Sequence, residues 1–207
     1  MMRRHLTDLC YDRHGPAAPV YKDIRRRQIS PAQRRMLEDA AAEISAMPLA
    51  MVKRTGLTLS SARSLIRRQR AAWAQKGITL GLVTIDHVGL LAADGGGRDR
   101  YSDQTAIAIG SKQLADDLGI PVIALVQLNR QVEQRDNKRP QLSDLRESGS
   151  IEQDADCVMF LYREEYYLGR AEPREGTAEH AKWQEEMDAA RGLAEVIIGK
   201  QRHGPIG

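Results

Sequence analysis

Four short apolar runs constrain this chain more than any other feature: residues 80–85, 121–126, 157–162 and 194–198. Each is continuous rather than alternating, as a strand buried on both faces requires. Helical stretches lie between them, and strand–helix alternation predicts a parallel α/β sheet. Three runs give way to polar groups: Asp86, Gln127, and the pair Lys200 and Arg202. Ligands in open parallel sheets bind beyond the carboxyl ends of the strands, so these residues are the first site candidates. The remaining run has the sharpest entry. A dense polar stretch from Lys138 stops at Asp156, and the apolar run begins at Cys157. A charged loop feeding a buried strand holds polar groups at the rim of a sheet.

The 207 residues, 42% hydrophobic and 29% charged, suffice for one globular domain with a sizeable core. No apolar run approaches the ~20 residues that cross a bilayer. Residues 1–5 lack the apolar core of a signal peptide. The expected location is the cytoplasm, with no membrane contact. A net charge of +3 is mild, so nucleic acid would be met by local clusters. Aromatics at 4% argue against a base-stacking surface. Cys157 is expected to be a buried strand thiol and Cys10 a helix residue, with no disulfide. The histidines show no metal-ligand spacing.

Residues 3–12 read as helix, broken by the Gly and Pro of 15–19. Ser30 followed by Pro31 is a helix start, and Met36, Leu37, Ala40, Ala41, Ile44 and Met47 follow at helical spacing before Pro48. Further helices are expected from Ser60 or Ser61 to Gly77 and over 104–118 closed by Gly119; residues 171–191 read as a solvated insertion with a surface helix around 183–190, which Trp183 and Met187 could dock.

Chemistry narrows the candidates. An acidic residue after a buried strand, such as Asp86, is how nucleotide hydrolases hold magnesium, although an ordinary turn also suits it. The Gln127 amide can both donate and accept, so it could sense a phosphate or orient a water; a loop hydrogen bond serves it equally. Lys200 and Arg202 alternate along an extended segment and should face one side. Arg202 could neutralise charge on a transferring phosphate, or simply be a solvated strand end. Two loops are DNA candidates: residues 94–100, carrying Arg98 and Arg100, and 138–150, carrying Lys138, Arg139 and Arg146. Cations beside Gly/Ser backbone amides attract phosphate without reading sequence.

With these residues the chain resembles the C-terminal ATPase domain of DnaB-family replicative DNA helicases. The resemblance runs through residues 21–25, 56–58, 85–86, 121–130, 138–162, 164–167 and 199–205. It implies a partial helicase C-terminal domain over 1–207. It also implies a RecA-like P-loop NTPase core with a mostly parallel sheet, a hexameric ring, ATP and Mg2+, and translocation on single-stranded DNA. Primase and a helicase loader are the partners it suggests. By position, Asp86 resembles the magnesium-site aspartate, and Gln127 the glutamine coupling nucleotide state to the DNA loops. Arg146, Glu147 and Gly149 fall in the loop that grips the DNA backbone. Lys200 and Arg202 resemble the basic pair that reaches a neighbouring subunit's ATP.

Gly-x-x-x-x-Gly-Lys-Ser/Thr occurs nowhere in the chain. The phosphate loop, the first core strand and the water-activating glutamate of the family are therefore expected to be missing, and the chain is expected to be a fragment. A gap should separate the strand before Gln127 from the one starting at Cys157. The chain alone should be poorly stable and should hydrolyse ATP negligibly. The other reading is a non-catalytic, DNA-binding ring subunit.

Overall fold

The structure is a computed structural model that describes residues 2–53, 56–92, 94, 100–148 and 151–205; the side chains of 2–4, 100–104 and 146–148 lie outside that description. The chain divides into two compact units, Met1–Lys53 and Arg54–Gly207.

The first unit is helical. It comprises α1 (Met2–His14), α2 (Tyr21–Arg26) and α3 (Pro31–Ala46). Pro31 and Ser30 start α3 as expected. The Ser30 hydroxyl accepts from Gln33 N–H at 3.1 Å, and the Gln33 amide accepts from Ser30 N–H at 3.0 Å. Cys10, Ala18 and Ala40 form the centre, with Leu6, Leu9, Met36 and Leu37 packed around them. Small residues there let α1 and α3 approach closely.

The second unit opens with α4 (Leu59–Ala74), capped by Thr58 and begun one or two residues earlier than expected. Gly77, at φ 70°, closes its C-terminal end. Then come β1 (Val83–Ile85), α5 (Arg100–Leu118) and β2 (Val122–Ala124). α5 buries Ile107, Ser111, Leu114 and Leu118, one stripe at helical spacing. Arg70 of α4 donates to Leu118 O at 3.0 Å and so satisfies a carbonyl at the end of α5. The strands β1 and β2 pair in parallel, as the βαβ order requires.

After a 3-10 helix, Leu142–Ser148, come α6 (Ile151–Asp154), β3 (Cys157–Tyr162), α7 (Glu164–Leu168), α8 (Ala178–Ala190) and β4 (Glu195–Gln201). Here the expected parallel pairing gives way to an antiparallel pair, β3 with β4. The reason lies in the insert. α7 and α8 pack together, with Trp183 Nε1 donating to Leu168 O at 2.9 Å, and return the chain to the end it left: Tyr162 sits opposite Glu195. A parallel return would need a crossover along the whole sheet.

Cys157 is exposed, not buried. β3 alternates, with Val158, Phe160 and Tyr162 inward and Cys157, Met159 and Leu161 outward, so only one of its faces is covered. The pairs β1–β2 and β3–β4 form separate sheets, with no ladder between β2 and β3, where the gap was expected. A hydrophobic cluster spans that gap: Val126 and Leu128 meet Leu142, Leu145, Val158, Phe160 and Ile197.

Candidate functional site: the carboxyl edge of the parallel pair

Asp86 follows β1 and Gln127 lies three residues beyond β2; both are exposed. Pairing continues past the strand ends. Leu125 N–H donates to Ile85 O at 3.0 Å, and Val88 N–H donates to Leu125 O at 2.9 Å. Asp86 therefore stands beside the start of the Gln127 segment on one carboxyl edge. Neither side chain has a hydrogen-bond or ion-pair partner among the described residues, so both are available to a ligand. Val126 and Leu128 pack into the cluster on either side of Gln127, which fixes the backbone that carries it.

Lys200 and Arg202 gather elsewhere. Gly199 is the extra residue of a bulge, because Met159 pairs with Ile198 while Val158 pairs with Lys200. That shift moves Lys200 to the inward face of the sheet. Its Nζ donates to Glu152 O at 2.6 Å and Gln153 O at 3.0 Å, at the end of α6. Arg202 donates from Nη1 to Asp156 Oδ1 at 3.0 Å, and Lys112 of α5 donates to Asp156 Oδ2 at 2.5 Å. The two cations do face one side, as expected, but carbonyls and a carboxylate of the same chain hold them. The Lys112 ammonium above all, with Arg202 and His203 beyond it, holds the Asp156 carboxyl below its usual range. Among the described residues no hydrogen bond or ion pair joins this cluster to Asp86 or Gln127.

Of the expected DNA residues, Gly149 and Arg98 lie outside the described residues, as do the side chains of Arg146, Glu147 and Arg100. The flanking structure is clear. Asp94 accepts from Ser60 N–H at 3.1 Å and Ser60 Oγ at 2.6 Å, which ties that point of the 94–100 loop to the first turn of α4. Arg139 is not a free cation: it forks onto Glu195 at 2.6 and 3.2 Å and lies over the Tyr162 ring.

Asp144, Asp156 and Lys112 carry no site signal in the sequence. The side chains that grip the two carboxylates lie 9 to 46 positions away, beyond the reach of local spacing.

The family model of the DnaB-like helicase C-terminal domain matches residues 18–207. The chain belongs to that family. It is 46% identical over 151 residues to the replicative DNA helicase DnaB of Rickettsia felis, covering 73% of this chain and 30% of that protein. Against the DnaB of Rickettsia bellii it is 42% identical over 188 residues, covering 89% of this chain and 37% of the other. The chain thus spans about a third of the length of the curated relatives it matches. A solved DnaB-like replicative helicase, studied for its interactions with primase, superposes with a TM-score of 0.77 at 31% identity, over 100% of this chain and 43% of that one. A second solved structure, an ATPase domain, superposes at 0.76 and 31% identity, over 100% of this chain and 63% of that one. The DnaB-family fold is therefore RecA-like, and the antiparallel β3–β4 pair is accommodated within it.

Proposed function

We propose that this chain contributes part of the motor of an ATP-dependent replicative DNA helicase, a hexameric ring that unwinds duplex DNA by translocating on single-stranded DNA. The observation that carries this reading is the shared carboxyl edge, where Asp86 and Gln127 are both exposed on the segments that leave two paired parallel strands. That is where an open α/β sheet offers its ligand site.

Asp86 fits a magnesium ion as a single hard-oxygen ligand, directly or through water. Among the described residues no three His, Cys, Asp or Glu side chains converge as a metal cage, so phosphate oxygens and water would complete the shell. Magnesium neutralises charge on the transferring phosphate. Gln127, through its amide, reports what occupies that edge to the segment behind it. Lys200 and Arg202 are bonded to oxygens that a phosphate oxygen can replace, which suits them to a neighbouring subunit's ATP. Arg146, Glu147 and Gly149, with Arg98 and Arg100, would meet the DNA backbone. Primase and a loader are partners of the assembled ring.

The chain alone should release phosphate from ATP at the background rate, because it has no phosphate-cradling loop. Turnover by the isolated chain that Asp86→Ala abolishes would overturn this. A second reading is a ring subunit that binds DNA and donates the exposed Arg202 without itself hydrolysing ATP. Mixed with an intact DnaB-family helicase, the chain should co-elute with it on gel filtration. Arg202→Ala should preserve co-elution and lower phosphate release by the mixed assembly. Failure to co-elute would remove the ring from the account.

A further inference from the structure

The loop read as the DNA contact is built on a half-buried ion pair, its carboxylate buried and its guanidinium partly exposed, that none of the roles above uses. Asp144 is only 7% exposed. Its carboxylate accepts from Arg135 Nη1 at 3.1 Å, from Arg135 Nη2 at 2.9 Å and from Gln141 N–H at 2.8 Å. Arg135 Nη2 also donates to Arg139 O at 3.0 Å. The Asp144 carbonyl in turn accepts from Asn129 N–H at 3.1 Å. Asn129 is two residues beyond Gln127, and Asp144 is two residues before Arg146. Packing repeats the link: Val126 and Leu128 touch the same cluster as Leu142 and Leu145. One residue therefore fastens the stretch behind the proposed nucleotide edge to the helical turn that leads into the proposed DNA loop.

We propose that Asp144 is a positioning residue: gripped by Arg135 and bonded to Asn129, it fixes the Leu142–Ser148 turn against the Gln127 segment, so that the residues after it meet single-stranded DNA in one arrangement. The proposal rests on reading that loop as the DNA contact. Its logic is geometric. A bidentate Arg–carboxylate pair with its carboxylate buried holds both backbones at a set distance and angle. A loop fixed in that way loses less entropy when it takes a phosphate. Asp144 itself bears the wrong charge for DNA and has its oxygens occupied within the chain.

That charge gives the test its sign. Removing an acidic side chain near a DNA surface strengthens binding when only long-range electrostatics act. Loss of positioning weakens it. The full chain is titrated against a fluorescein-labelled oligo(dT) by anisotropy over a range of salt, well below each variant's melting temperature. Asp144→Asn should bind about tenfold more weakly, with a log K versus log salt slope shallower by about one phosphate. Asp136→Asn removes the same charge from an exposed position just before that loop, and should bind as tightly as wild type or more so. Arg135→Lys keeps net charge and fold while losing the two-pronged grip, and should weaken binding in the same direction as Asp144→Asn, so it decides the matter if Asp144→Asn does not fold. Wild-type affinity and slope in either folded variant would overturn the proposal and leave the DNA reading standing. A wild-type chain that does not bind the oligonucleotide would overturn the DNA reading and the proposal with it.

Discussion

Asp156 is where the residue scale matters most. It is half exposed, yet it takes Lys112 on one oxygen and Arg202 on the other. Because its folded carboxyl titrates below the ordinary value, the ionised form favours the folded chain. That contribution is fully present above the unfolded value of about 3.9 and disappears as pH falls through the lower folded value. Thermal melting points of wild type and Asp156→Asn should therefore differ by a constant amount from pH 7 to about pH 5 and converge below about pH 4. A gap that does not narrow at all as pH falls below about 4 would mean that the Asn side chain itself, not the lost charge, is responsible. Asp94, Glu165 and Glu195 are lowered by their own hydrogen bonds and push the whole chain in the same direction. At this scale the sequence showed which residue types were present and not whom they would meet. Lys200 and Arg202 were legible as a pair of cations, and their carbonyl and carboxylate partners 46 to 49 positions away were not.

At the scale of elements, the Gly199 bulge decides where Lys200 goes. A Cβ at position 199 would come within 2.5 Å of Phe160 Cε2 and 3.5 Å of Leu142 Cδ2. Phe160 is buried in the cluster that spans the two sheets, so its ring cannot swing away freely. Gly199→Ala should cost about 1–3 kcal/mol in urea unfolding through overpacking. Adding Phe160→Leu should recover part of the loss, since the two positions share one space. Full additivity of the two costs would contradict the close approach. The capping box of α3 belongs to the same scale: Ser30→Ala should cost about 1 kcal/mol by losing a bond to the orphan N–H of Gln33. That helix was readable from Ser30 and Pro31 alone, because capping is local. The direction of β4 was not, because it depends on the α7–α8 insert folding back on itself.

For the whole molecule, the decisive property is what stays uncovered. Leu161 is 73% and Met159 55% exposed on the outer face of β3, beside Val196 of β4. Ile123 of β2 and Leu125 just after it are exposed in the same way. Among the described residues each strand of these two-stranded sheets is paired along one edge only. Apolar faces next to open edges promote pairing between chains. Sedimentation velocity should show wild type self-associating as concentration rises, and Leu161→Lys should shift the distribution toward monomer. A monodisperse wild-type monomer with one sharp thermal transition would rule this out. No helix among the described residues is long and apolar enough to cross a membrane.

The amino-acid sequence by itself determined the elements and their order. Helix caps, glycine stops, apolar runs and the polar residues that end them are local, and local patterns are set by propensity and periodicity. It also carried the family, because the stretch from Lys138 to Tyr162 is too specific to arise from periodicity alone. Tertiary structure decided the rest. It set β3 against β4 in opposite directions, exposed Cys157 and latched Lys200 and Arg202 onto α6 and Asp156. It also buried Asp144 between Arg135 and Asn129. All of these depend on contacts between residues distant in the chain, whose free energy exists only once the backbone has brought them together.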